Sequence, residues 1–375
     1  MLEIKMLPAR QGDAIWICWG ESDNPYRMII DMGTEEVGKR IYDELKNSPE
    51  TQQILELLVV THVDRDHIGG VLTCLAEADP LPNLQIKDIW FNGFLHLSGK
   101  FVKQPDGNEG LSEEEDGTLE PMGPAQGERF SGWLKEQKWN REFNGGPVVR
   151  PLEQPPKTVT LPDDLKLTIL GPIQQRLEEF IDDWAEEVEK ALEKGTLAEV
   201  STGVEAMGAR TPPQLETTVD LEILAEERTR PDKSPANGSS IALLLEYCGR
   251  KILLAGDAFP DDLIAAIEAL YPNERLKLDA FKLPHHGSKK NISKSLVKSV
   301  DCVRWLLSTD GTQHHHPDPT ALARIIAYSE LRPPNLLFNV PSKYNGWWDN
   351  EEWRAQFDYK TEYGTKEDGL TLRFE

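Results

Sequence analysis

Residues 61–70 read THVDRDHIGG and place His62, Asp64, Asp66 and His67 directly after an apolar run, 54–60. A buried strand has no use in its core for four polar side chains at one end. Imidazole nitrogens beside carboxylate oxygens are a donor set for divalent metal ions. Residues two apart on an extended chain point the same way, so His62, Asp64 and Asp66 are expected to converge while His67 opens the next element. One short segment can then serve two cations. Gly69 and Gly70 let the backbone turn closely under the site, ahead of a helix expected from near residue 71.

The elements that must position this turn alternate strand and turn over the first 95 residues. Strands are expected at 2–7, 13–19 and 26–31, followed by a helix over 35–46 and the strand that feeds the motif. A second half repeats the style, with strands at 165–170, 240–247, 251–254, 280–283 and 302–307, and helices near 260–270, 293–299 and 319–329. Two β-rich halves with helices outside predict one layered αββα sandwich spanning residues 1–375. Two insertions interrupt it, at 98–160 and 195–236. The first carries Phe130, Trp133, Trp139 and Phe143, which a pure linker would lack, and is expected to be ordered with a floppy tip at 106–127. The second holds TPP at 211 and RPDKSPANG at 230–238, and either insertion could form a lid. Between them, Ile173, Leu177, Phe180, Ile181, Trp184, Val188 and Leu192 recur at helical spacing and predict one long amphipathic helix over 173–194. An aromatic C-terminal extension, 342–375, is expected to fold back on the domain.

With 39% hydrophobic and 28% charged residues, the 375-residue chain can bury a substantial core, which excludes wholesale disorder. Its formal charge of −23 disfavours nonspecific attraction to a nucleic-acid backbone, since two divalent ions would bring it only to −19. A phosphate-bearing substrate must be drawn in by metals and a local patch. Cys18, Cys74, Cys248 and Cys302 form no CxxC pair and read as buried free thiols. No stretch approaches the ~18 apolar residues of a membrane span, and the N-terminus lacks a basic region followed by a long apolar run, so the expectation is a cytoplasmic protein without a membrane partner. GxSxG, GxxxxGK[ST] and GxGxxG are absent, which leaves serine-hydrolase and nucleotide-loop chemistry without local support.

Other polar residues fall at strand ends. Asp257 closes ILLAGD, where a carboxylate can bridge two cations, although it could instead cap the helix near 260. His285 and His286 follow AFKLP and precede Gly287 and Ser288. With these residues the chain resembles the metallo-β-lactamase-fold hydrolases, and within them the soluble hydrolase domain of ComEC-type competence proteins. The matching pieces are QGDA at 11–14, IIDMG at 29–33, THVDRDHIGG, NGSSIALLLEY at 237–247, LLAGDA at 253–258, LPHHGS at 283–288 and HHHPD at 314–318, in the expected order.

The resemblance implies a four-layer αββα metallo-β-lactamase sandwich and two divalent ions, zinc first and manganese second. It implies that His62 and Asp64 serve the first ion, Asp66 and His67 the second, and that Asp257 bridges both. One histidine of LPHHGS completes the second site, His286 being favoured and His285 left to face the substrate. Asp31 is expected to orient a ligand histidine through its other ring nitrogen. Asp66, His285 and His316 are the residues expected to carry catalysis, His316 by contacting a phosphoryl oxygen or protonating a leaving group. His314 and His315 are expected to be incidental or in an outer shell of the site, and Lys282 and His96 structural. Two departures matter. Asp64 stands where HxHxDH has a second histidine, and between His67 and Asp257 the chain offers only His96. Asn237 and Ser239 occupy the corresponding region near the ligands, so the first ion is expected to be weakly held.

The expected function is hydrolysis of a phosphodiester, in nucleic acid or a nucleotide-like substrate, by a metal-activated water. An ester, lactone, thioester or amide hydrolase on the same ions is the alternative, with Trp133, Trp139 and Phe143 lining its pocket. A third reading is a non-catalytic partner subunit with a vestigial metal site, motivated by the acidic charge, the aromatic C-terminus and Asn237.

Overall fold

Apolar side chains alternate along the strands with a period of two in the computed structural model, which describes residues 1–97, 123–193 and 220–374. In Ala242–Tyr247, Leu243 and Leu245 face one way and Ala242 and Leu244 the other; Arg250–Leu254 repeats this with Ile252 and Leu254 against Leu253. Strands that bury both faces need a covering layer on each. The chain supplies it with two sheets packed face to face and helices on both outer faces.

One sheet has six strands in the order Leu370–Phe374, Leu2–Met6, Ala14–Trp19, Tyr26–Met32, Leu57–Val59, Ile89–Trp90, the last three parallel. The other has eight, Lys360–Tyr363, Asn335–Phe338, Arg304–Leu307, Ala280–Lys282, Arg250–Leu254, Ala242–Tyr247, Lys166–Gly171, Thr158–Thr160, the first five parallel. Trp19, Ile17, Leu243 and Leu306 fill the layer between the sheets. Glu35–Asn47 lays Val37, Ile41 and Leu45 on the outer face of the first sheet, and Pro260–Leu270 with Pro319–Tyr328 covers that of the second. This is the αββα sandwich expected. Parallel strands from both sheets end on one edge, so Thr61, Asp257, His285 and Ser308 come together where the Ile241 N–H donates to the Thr61 carbonyl at 2.9 Å.

Several expectations change. The motif helix begins at Arg65, six residues before the expected start, so Asp66 and His67 lie in its first turn and only the chain up to Asp64 is extended. The Asp64 carbonyl accepts from the His67 and Ile68 N–H groups and starts the helix there. The long helix expected over 173–194 is two, Gln174–Glu179 and Ile181–Glu193, because the Phe180 N–H tightens onto the Leu177 carbonyl and ends the first. The strand expected over 302–307 divides at the exposed Val303: Val300–Cys302 pairs with Leu276–Leu278, and Arg304–Leu307 joins the large sheet.

Of the first insertion, residues 98–122 lie outside the described residues, and the supposed tip at 123–127 opens the helix Gly123–Leu134, which buries Phe130 and Leu134. Of the second, 195–219 lie outside them; Leu221–Ala225 packs on Pro319–Tyr328, with the Arg324 guanidinium donating to the Ala225 and Glu227 carbonyls. The C-terminal residues do more than fold back, since Leu370–Phe374 and Lys360–Tyr363 each form an edge strand of one sheet. Cys248 is exposed on a hairpin turn and Cys18 half-buried, while Cys74 and Cys302 are buried; all four are free thiols. Among the described residues no helix is long and apolar enough to cross a membrane.

Candidate metal centre

His67 is placed by a close helix-to-strand contact. A Cβ on Gly70 would lie 2.0 Å from the Met32 carbonyl oxygen, so only glycine lets the Arg65–Val71 helix sit this near the Tyr26–Met32 strand. Asp31, in left-handed backbone at φ 55°, turns its buried carboxylate into the gap. It accepts from the Thr61 N–H at 2.8 Å, the Thr61 hydroxyl at 2.7 Å and His67 Nδ1 at 2.7 Å.

These bonds fix tautomers. His67 gives its Nδ1 proton to Asp31, which leaves the Nε2 lone pair pointing inward. The Thr61 hydroxyl has already donated to Asp31, so toward His62 Nδ1, at 3.0 Å, it can only accept, and His62 likewise keeps its lone pair on Nε2. His286 Nδ1 donates to the Ser308 carbonyl at 2.9 Å, with the same result. The lone pairs converge on Asp257. Its Oδ1 lies 3.4 Å from His67 Nε2 and 3.8 Å from His286 Nε2, and its Oδ2 lies 3.8 Å from His62 Nε2. Asp66 Oδ2 is 3.4 Å from His286 Nε2, and Asp64 Oδ2 3.6 Å from His62 Nε2.

The donors fit a divalent cation. His62 Nε2 and Asp257 Oδ1 are buried with no hydrogen-bond partner, and His67 Nε2 faces His286 Nε2 at 3.2 Å. Two facing lone pairs repel unless a proton or a metal ion lies against them. Two donors each ~2.1 Å from a tetrahedral ion stand about 3.4 Å apart, within the spacings found here. Electrostatics agree. Burial disfavours charge on His67, but Asp257, Asp31 and Asp66 outweigh it and hold its pKa well above the ordinary value. In the same way Asp257 and Asp13 overcome burial and lift His286 to about 9. Burial raises Asp66 and Asp257, and the histidines around them pull both below the usual carboxylate range. The cluster calls for positive charge.

Every residue expected to hold or flank metal is accounted for. His62, Asp64, Asp66, His67, Asp257 and His286 are brought together, with Asp31 behind His67. His285 Nε2 lies 3.9 Å from Asp257 Oδ2, and the His316 ring is 5.3 Å from that of His285. Asn237 reaches the site through Asp232, its amide donating to Asp232 Oδ2 at 2.7 Å. Ser239 turns away to donate to the Ala236 carbonyl, and its neighbour Ser240 accepts the Asp257 N–H at 3.1 Å instead. His96 donates to the Gly145 carbonyl at 3.0 Å and packs its ring, tilted, against Trp139, the structural role expected of it. Trp133, Trp139 and Phe143 do not line one pocket: they pack on Phe130, His96 and Trp90 respectively.

Asp13 was missed. It is buried, with Oδ1 3.3 Å from His286 Nδ1 and Oδ2 2.6 Å from the ammonium of Lys282, itself wholly buried. A carboxylate opening the apolar strand after QG was the available signal, and Lys282 the counter-charge that a buried carboxylate needs. Asp13, His67, Asp257 and His286 each offer a ligand atom within 4.8 Å of the others.

No protein-family model matches the chain. ComE operon protein 3 of Bacillus subtilis (strain 168) is 26% identical over 111 residues, which are 29% of this chain and 14% of that protein. The metallo-beta-lactamase fold protein YhfI from Bacillus subtilis aligns over 99% of this chain and 98% of its own, at 11% identity and a TM-score of 0.43. Zn(2+)-bound PqqB from Methylobacterium extorquens aligns over 99% and 100%, at 10% identity and a TM-score of 0.40.

Proposed function

We propose that the chain is a metal-dependent hydrolase that cleaves a phosphodiester in a nucleotide-like or nucleic-acid substrate, with two divalent ions, zinc first and manganese second. The observation that carries this reading is the division of labour at Asp257: Oδ1 faces His67 and His286, and Oδ2 faces His62. When bound, two such ions would supply an activated water and draw charge from the phosphoryl oxygens.

The chain's own residues set orientation and protonation. Asp257 holds the two donor groups apart, and Asp31 with Thr61 fixes two rings at once. His316 is neutral at neutral pH, because burial and then the charges on His285 and His286 push its pKa well below the ordinary value. A neutral imidazole suits a hydrogen bond to a phosphoryl oxygen better than proton delivery to a leaving group. The net charge of −23 favours a short substrate over a long duplex.

A carboxylic ester would use the same donors, but Trp133, Trp139 and Phe143, the aromatic lining that would suit it, are partly buried in separate packing contacts. The test is turnover of bis-nitrophenyl phosphate and nitrophenyl acetate by protein loaded with zinc or manganese. Phosphodiester cleavage lost in Asp66→Ala is expected. Cleavage of the acetate alone would replace the phosphodiester reading, and turnover of neither by metal-loaded protein would favour a partner subunit.

A further inference from the structure

The tautomer argument extends to a fourth imidazole. His285 and His286 are adjacent in the chain yet serve opposite sides of Asp257, because both adopt left-handed backbone, φ 48° and 53°, in the turn Pro284–Gly287. His286 Nε2 approaches Asp257 Oδ1, whereas His285 Nε2 lies 3.9 Å from Oδ2, the oxygen that His62 Nε2 approaches at 3.8 Å. His285 Nδ1 has two acceptors nearest it, Asp232 Oδ2 at 3.1 Å and Asn291 Oδ1 at 3.0 Å; the Asn237 amide nitrogen stands at 3.2 Å, but its shorter bond, 2.7 Å, goes to Asp232 Oδ2. It therefore carries the proton, and the Nε2 lone pair points to the His62 side.

Asp232 is itself fixed. Its Oδ2 accepts from the side-chain amides of Asn237 at 2.7 Å and Asn291 at 3.1 Å, and the Asn291 amide also reaches the Asp257 carbonyl at 3.2 Å. Asn237, which stands in the region where the superfamily pattern has a further histidine, thus holds the carboxylate that aims His285. A carboxylate that orients an imidazole in this way is the usual partner of a metal-bound histidine.

We propose that His285 is a ligand of the ion on the His62 side, beside His62, Asp64 and Asp257, and that Asp232 is the positioning residue that fixes its tautomer. This rests on the two-ion reading above, and not on what the substrate is. It completes three donors plus the shared carboxylate on the His62 side, matching Asp66, His67, His286 and the same carboxylate on the other.

The test counts ions without substrate: equilibrium dialysis of the metal-free full chain against Zn²⁺ over a range of free concentrations, with elemental analysis. Wild type is expected to take up two ions. His285→Ala should retain one at concentrations that load wild type with two. Asp232→Asn, which keeps the shape, should weaken only the looser step, by about 10–100-fold. Cobalt loading gives a second readout, since the absorption of the looser ion should change in Asp232→Asn while that of the tighter ion stays. Should His285→Ala fail to fold by circular dichroism, Asp232→Asn decides. Two ions bound with unchanged affinities in both variants would overturn the proposal and return His285 to the substrate. Uptake of one ion or none by wild type would overturn it as well. Turnover does not enter, so a failed phosphodiesterase assay leaves the result readable.

Discussion

On one side of Asp257, His67 and His286 are closed off, each backed by a buried carboxylate, Asp31 and Asp13, with the Lys282 ammonium buried beneath Asp13. On the other side the Asp64 side chain is 38% exposed and that of His285 20%, while His62 leans on a threonine hydroxyl. The closed side has its geometry and charge set by groups that cannot relax toward water, which suits permanent retention of an ion. The open side is where solvent and substrate can arrive. A more weakly held ion there is expected from the burial alone, apart from any missing ligand.

The largest effect should come from the group both sides share. Asp257→Ala is expected to lower kcat/KM for a phosphodiester by on the order of 10³-fold and to reduce bound metal on both sides, read by elemental analysis. Loss confined to one side would break the symmetry argued for its two oxygens. Lys282→Met leaves Asp13 buried without its counter-charge, and should cost about 3–5 kcal/mol in urea unfolding. An equal cost for Lys289→Met, whose partner Glu227 is exposed, would show that the closed side is not special.

A pH series sharpens the same contrast. Because the folded pKa of His286 is raised from 6.5 to about 9, its proton is held more tightly in the folded chain. The resulting stabilisation is complete below about pH 6.5 and is lost as pH rises through about 9. Asp66 and Asp257, whose pKa values are lowered, contribute evenly across that window, since their share is lost only in acid. From His286 alone, EDTA-treated protein should therefore lose about 3 kcal/mol between pH 6.5 and 9, with the raised His67 and His285 adding in the same direction, and zinc-loaded protein much less. A flat profile for the metal-free chain would remove the charge argument. The smallest effect is expected from Asp31→Asn, which should weaken the tighter ion about 10–100-fold through His67 and the looser one less, through Thr61 and His62, measured by competition with a chelator.

What the sequence revealed follows the same division. His62, Asp64, Asp66, His67, Asp257 and the paired histidines were legible because polar residues at the ends of apolar runs have few other uses. The layers were legible because short apolar runs such as Ala242–Tyr247 recur in two groups with helical segments between them. The supporting groups were not. Asp232 meets His285 across 53 residues and Asp13 meets Lys282 across far more, and no local pattern records such pairs. The start of the motif helix was misread for a physical reason: Gly69 and Gly70 are poor helix formers in isolation, yet the fold needs their missing side chains. A Cβ on Gly69 would stand 3.2 Å from the Glu35 carboxyl carbon, and one on Gly70 still nearer Met32.

The central claim is that two donor groups flank one carboxylate, and anomalous X-ray diffraction from crystals grown with Zn²⁺ tests it most directly. Two peaks are predicted, one against Asp66, His67 and His286 and the other against His62 and Asp64, with Asp257 between them and the first peak the stronger. A single peak, or peaks away from Asp257, would contradict the account.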